Sequence, residues 1–95
     1  MGSSRAEREH KARVAELGCI ICRRPAAVHH INVEGIGRRA TDYETIPLCG
    51  DHHQNGGYGV AVHAGRVAFE AAYGTERELL ALAMGELGIV AGEAA

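Results

Sequence analysis

Apolar residues in this chain fall into short stretches with two different periods. From Ser4 to Leu17, Ala6, Ala12, Val14, Ala15 and Leu17 form a weak stripe among charged residues, which predicts an N-terminal helix over about 5–17. Ser4 with Glu7 three residues on is a capping-box signature for its start, and Gly18 suits its end. Cys19 to Pro25 then reads as a tight knuckle, and Ala26 to Ile31 as a short strand. Asn32 to Ala40, rich in glycine and arginine, reads as the loop or loose hairpin leading to a second strand from Tyr43 to Pro47, which the proline closes. Leu48 leads into a second cysteine knuckle, and a short helix follows through His52, His53 and Gln54 until Asn55-Gly56-Gly57 breaks it. Tyr58 to Val62, apolar and flanked by glycine, suggests a short extended run. Val67, Ala68, Ala71 and Ala72 predict a helix over 66–73 closed by Gly74; Thr75 with Glu78 opens another over 76–87, stopped by Gly88. Met1 to Ser3 is set aside as unstructured, and the tail from Ala91 to Ala95 as frayed. With no internal repeat or linker, residues 1–95 read as a single α+β domain whose core spans about 17–74.

Composition argues for a staple. Hydrophobic residues make up 46% of the 95 positions, but much of this is alanine, and the aromatics are only Phe69, Tyr43, Tyr58 and Tyr73. So short a chain leaves much of its apolar surface exposed, and a bound metal is the expected stabiliser. Three cysteines cannot all pair and no signal-peptide pattern opens the chain, which points to a reduced, cytoplasmic protein. No apolar run approaches the ~20 residues of a membrane span. The net charge of -2 exerts no global pull on nucleic acid. Locally, however, four arginines (Arg23, Arg24, Arg38, Arg39) stand against one acid, Glu34. Arg38 and Arg39 are candidates for holding DNA phosphates, the alternative being a solvated loop.

All three cysteines and four of the six histidines sit in three pieces: Cys19-Ile20-Ile21-Cys22, His29-His30 and Cys49-Gly50-Asp51-His52-His53. Two ligands separated by two residues can point inward from one tight turn, and two such turns complete a tetrahedron. Cys19, Cys22, Cys49 and His52 have that spacing and would form a structural zinc site. A thiol-redox pair or unliganded cysteines are the alternatives, and no βαβ pattern supports the first. The remaining histidines, His29, His30, His53 and His63, suit a second, open metal site of the hydrolytic kind. On a strand His29 and His30 point to opposite faces, so one can bind a metal while the other acts as a base. His53 lies about 100° round a helix from His52 and can turn away from the zinc knuckle. His63 needs the glycine-rich loop to fold back; otherwise it is a surface histidine.

The order C-x2-C, His-His, a strand ending in Leu-Cys and His-His at the head of a helix resembles the HNH endonucleases, whose ββα-metal motif cuts phosphodiester bonds. The stretches Leu17-Gly18-Cys19-Ile20-Ile21-Cys22, Glu44-Thr45-Ile46-Pro47-Leu48-Cys49, Gly56-Gly57-Tyr58-Gly59-Val60-Ala61-Val62-His63 and Phe69-Glu70-Ala71-Ala72-Tyr73-Gly74 are similar to the phage recombination-enhancement nuclease (Ref) group of that superfamily. This likeness runs from about Glu7 to Leu80. It implies a small zinc-stabilised ββα-metal (HNH) core with flanking N- and C-terminal helices. It also implies a metal-dependent DNA endonuclease, with His30 as general base and a catalytic divalent ion (Zn²⁺, Mg²⁺, Mn²⁺ or Ni²⁺) on His29, His53 and His63. Two positions depart from the pattern: His52 stands where a fourth cysteine is common, and Glu44 where the middle asparagine is expected. Glu44 would then pin the loop or touch the base. Members of the group act on DNA with a recombinase filament, which makes DNA and such a filament the expected partners, in a bacterial host if the chain is phage-encoded. The competing expectation is a zinc-stabilised DNA- or protein-binding module in which His30 does no chemistry.

Overall fold

The computed structural model describes residues 3–33 and 38–89. The expectations for Met1, Gly2, the middle of the Asn32 to Ala40 loop and the Ala91 to Ala95 tail lie outside the described residues. In chain order the elements are α1 (Arg5–Glu16), β1 (Ala27–His30), β2 (Thr45–Leu48), a π-helical turn (Asp51–Asn55), a 3₁₀ turn (Val62–Ala64), α2 (Arg66–Tyr73) and α3 (Glu76–Leu87).

Both expected capping boxes are present. The Ser4 hydroxyl accepts from the Glu7 N–H at 3.1 Å while the Glu7 carboxylate accepts from the Ser4 N–H at 2.7 Å. At α3, Thr75 and Glu78 exchange the same pair of bonds at 3.0 and 2.8 Å. Gly18, with φ +77°, turns the chain out of α1, and a Cβ there would lie 2.9 Å from the Arg23 carbonyl oxygen, so the bend requires glycine. Of the expected stripe Val14 is buried and Ala15 and Leu17 half-buried, but Ala6 and Ala12 are exposed and His10 is buried in their place. The His10 ring lies 4.9 Å from that of Tyr43, and its buried Nε2 has no hydrogen-bond partner. Burial, with Arg13 adding to it, pushes the His10 pKa down, so the ring packs as a neutral aromatic.

The strands pair antiparallel with Ala27 opposite Leu48 and His30 opposite Thr45. β1 is shorter than the expected run from Ala26 to Ile31. β2 starts later than Tyr43, and Pro47 sits inside it rather than closing it. Proline is tolerated there because the polar edge of Pro47 faces away from β1: its carbonyl accepts the Ile20 N–H at 2.9 Å, and no N–H is needed on that side. All four β2 residues are buried, since β2 also packs against α1 and α3.

The expected extended run from Tyr58 to Val62 is absent. Gly57 and Gly59 adopt φ of +83° and +85°, and the Val60 and Ala61 N–H groups turn back to the Gly57 carbonyl at 3.1 and 2.8 Å. A turn therefore replaces the strand and feeds the 3₁₀ turn that carries His63. The apolar core gathers Ile31, Ile46, Leu48, Val62, Phe69 and Leu79, with Cys19 and Cys49 inside it. Among the described residues no helix is long and apolar enough to cross a membrane.

Two candidate metal centres

Each cysteine knuckle is set by backbone bonds of its own. After Gly18, Cys19 N–H donates to the Arg24 carbonyl and the Cys19 carbonyl accepts from Arg23 N–H, both at 2.8 Å, which closes the first knuckle. The second follows directly from the end of β2. Together they bring Cys19, Cys22, Cys49 and His52 into one group able to hold a metal ion. The distances are 3.7 Å from Cys22 Sγ to Cys49 Sγ, 3.5 Å from Cys19 Sγ to His52 Nδ1, and 3.2 Å from Cys49 Sγ to His52 Nδ1. A tetrahedron with Zn–S near 2.3 Å and Zn–N near 2.0 Å has edges of roughly 3.5–3.8 Å, so the donor set fits a zinc ion with little movement.

The charge balance of the group leads the same way. Burial raises the Cys19 and Cys49 thiols, but hydrogen bonds outweigh it and hold both below the ordinary range: backbone bonds around Cys49, Cys22 and Ile21 for the first, and bonds to His52 for the second. The Arg24 backbone favours the Cys22 thiolate, yet burial and the neighbouring sulfurs push that thiol up. Thiolates crowded in this way are best satisfied by a shared cation. Tyr73 closes the group from the core side, its ring edge-on to His52 at 5.3 Å.

Three further histidines converge from three elements: His29 from β1, His53 from the π-helical turn and His63 from the 3₁₀ turn. Their rings lie 5.1, 5.1 and 4.5 Å apart, and one nitrogen of each lies within 4.8 Å of the others. Burial, helped by His29 and His63, pushes the His53 pKa down, which favours the neutral ring a metal needs. The loop from Gly56 to Gly59 folds back as His63 requires.

His30 lies on the exposed face of β1, opposite to the buried His29, as strand alternation demands. Its Nε2 donates to Asp42 Oδ1 at 2.6 Å. Asp42 also accepts from the Ser3 hydroxyl and lies 3.6 Å from Lys11 Nζ. The Ser3 bond first, and then His30, hold its pKa down to about 2. Neither Asp42 nor Ser3 is singled out by the sequence. Ser3 was set aside with the terminus, and a lone aspartate in a turn before a strand reads as turn chemistry.

Glu76 also escapes the sequence. As the first residue of α3 it reads as a solvated acid favoured by the helix N-terminus. In the structure it is 3% exposed, and Oε2 lies 2.7 Å from His29 Nε2 while Oε1 accepts the Asn32 N–H at 2.9 Å. Burial raises its pKa, but these bonds prevail and keep it low.

The basic stretch divides. Arg23 pairs with Glu86 and Arg24 with Asp51, both on the exposed surface. Arg38 and Arg39 are exposed and line, with His30, a cavity of about 450 Å³. A neighbouring cavity of about 420 Å³ is bounded by His29, His30, His63 and Arg66. Glu44 points elsewhere: its carboxylate accepts the Thr41 N–H at 2.9 Å and meets Arg77 of α3 at 3.1 Å. The backbone bond first, then Arg77, lowers its pKa.

No curated protein matches the chain. The family described as recombination enhancement, RecA-dependent nuclease does match, over residues 4–88, a span that runs from the cap of α1 to the end of α3 and takes in both Cys/His groups; the chain belongs to that family.

Proposed function

We propose that the chain is a single-domain, metal-dependent DNA endonuclease of the HNH type, built on a ββα-metal core and acting on DNA engaged by RecA. The observation that carries this reading is the division of labour on β1. His29 turns inward to His53 and His63, while His30 turns outward to Asp42 beside an arginine-lined cavity. A binding module has no use for a carboxylate-held histidine beside an open metal group.

Cys19, Cys22, Cys49 and His52 would hold a structural zinc. His29, His53 and His63 would hold the catalytic ion; three imidazoles suit zinc or nickel better than magnesium, which prefers oxygen. An ion held there would supply charge neutralisation at the scissile phosphate and the leaving 3'-oxygen. The protein supplies the rest. Because His30 Nε2–H donates to Asp42, the lone pair on Nδ1 is left to take a proton from water attacking the phosphorus in line. The Asp42 carboxylate then faces the imidazolium that forms and stabilises it. Arg38 and Arg39 hold phosphates on either side of the scissile bond, for which the guanidinium fork is well shaped. Glu44 ties the turn before β2 to α3 and so supports the loop beside His30.

The two neighbouring histidines test the assignment. His30→Ala should keep both metals and DNA binding while losing cleavage by ~10²- to 10⁴-fold, as expected of a general base. His29→Ala should lose the second metal and cleavage together. Plasmid nicking with and without RecA, alongside metal analysis of each variant, reads both; wild-type cleavage by His30→Ala at full metal content would sink the mechanism.

A further inference from the structure

We propose that Glu76 is a positioning residue for the histidine metal group, an inference that rests on the metal reading of that group given above. Glu76 fixes which nitrogen of His29 faces the metal. Its Oε2 stands 2.7 Å from His29 Nε2, a hydrogen-bond distance that turns Nε2 toward the carboxylate and leaves Nδ1, on the other side of the ring, as the nitrogen free to face a metal. The contact is shielded: the two side chains are 9% and 3% exposed, so water does not compete for either partner.

The carboxylate is held at its second oxygen and the residue at its backbone. Oε1 accepts the Asn32 N–H, one residue past the core-facing Ile31, and the Glu76 N–H donates to Glu70 Oε2 at 3.0 Å. Glu76 thus joins the first turn of α3 to the end of β1 and fixes the His29 ring about its own axis. A carboxylate bonded to the far nitrogen of a ligating histidine selects the tautomer, restrains the ring and raises the basicity of the donor nitrogen. A buried acid 47 positions away in sequence, placed on a different element, is a costly feature unless its charge is used.

The test uses the full chain with one equivalent of zinc on the cysteine group, followed by titration with Co²⁺ and measurement of its visible absorption. His53→Ala identifies the histidine-bound signal. Glu76→Ala should weaken Co²⁺ binding at that group by ~10- to 100-fold and shift the band, while the zinc stays on the cysteines. Glu76→Gln, which keeps an accepting oxygen but not the charge, should fall between Glu76→Ala and wild type, and it decides the matter if Glu76→Ala does not fold. A variant that melts at lower temperature yet binds Co²⁺ with wild-type affinity and spectrum overturns the positioning role and leaves the nuclease reading standing. A wild-type protein that takes no Co²⁺ on its histidines overturns the metal reading, and this inference with it.

Discussion

Replacing Cys49 by serine should unfold the protein rather than merely empty a site. Cys49 is 5% exposed, and its sulfur lies 3.2 Å from His52 Nδ1 and 3.7 Å from Cys22 Sγ, at the junction of β2 with the turn that carries both His52 and His53. A chain of this length has a net stability of about 5–14 kcal/mol. Structural zinc in small domains contributes about 10–16 kcal/mol. If loss of one ligand in four forfeits even a third of that, the deficit is about 3–5 kcal/mol. That deficit reaches the lower end of the net stability. Circular dichroism melts of Cys49→Ser, of wild type and of wild type with chelator, each with zinc analysis, measure it. Cys49→Ser and the chelated protein should both lose the cooperative transition. A Cys49→Ser protein that lacks zinc and still melts like wild type would refute the structural role assigned to the metal.

Two further outcomes are expected. If Arg38 and Arg39 hold phosphates, the double alanine variant should bind DNA of any sequence more weakly and flatten the salt dependence by about one unit of slope per lost contact; an unchanged salt titration returns the pair to solvent. The pKa of Asp42 is lowered from 3.8 to about 2, so its contribution to stability is complete above the higher value and disappears as pH falls through the lower one. The stability gap between wild type and Asp42→Asn, read by urea denaturation, should therefore close as pH falls from about 4 toward 2; a gap independent of pH over that window would mean that the carboxylate charge contributes nothing.

Much of this molecule is legible from local signals. Capping boxes, the C-x2-C and C-x2-H spacings and the alternation at His29-His30 are rules about residues close in sequence, and each has its counterpart in the structure. What the sequence conceals depends on distance. Nothing near Glu76 indicates that α3 returns to β1, and nothing near Asp42 indicates that Ser3, 39 positions earlier, reaches it. Pro47 misled because its meaning depends on which edge of the strand it faces. Tyr58 to Val62 misled because apolar composition suggests a strand, whereas the positive φ of Gly57 and Gly59 makes a turn. The α1 stripe holds at Val14 and fails at Ala6 and Ala12 for a third reason. Alanines bury little area, so a neutral histidine against Tyr43 outweighs them as the docking contact.

The two metal groups are joined through one short turn. His52 and His53 are consecutive, yet one completes the cysteine set and the other the histidine set. The wide π-helical turn, closed by the bond from Gly56 N–H to the Asp51 carbonyl, makes the division possible, because neighbouring side chains on a helix diverge. The link is also direct: the His53 N–H donates at 2.9 Å to the carbonyl of Cys49, itself a member of the first group. A metal held by Cys49 would thus fix the backbone that aims His53. Rigidity built by a filled, sulfur-rich site would in this way reach the nitrogen-rich one, and a small core would not have to hold three histidines in register by packing alone.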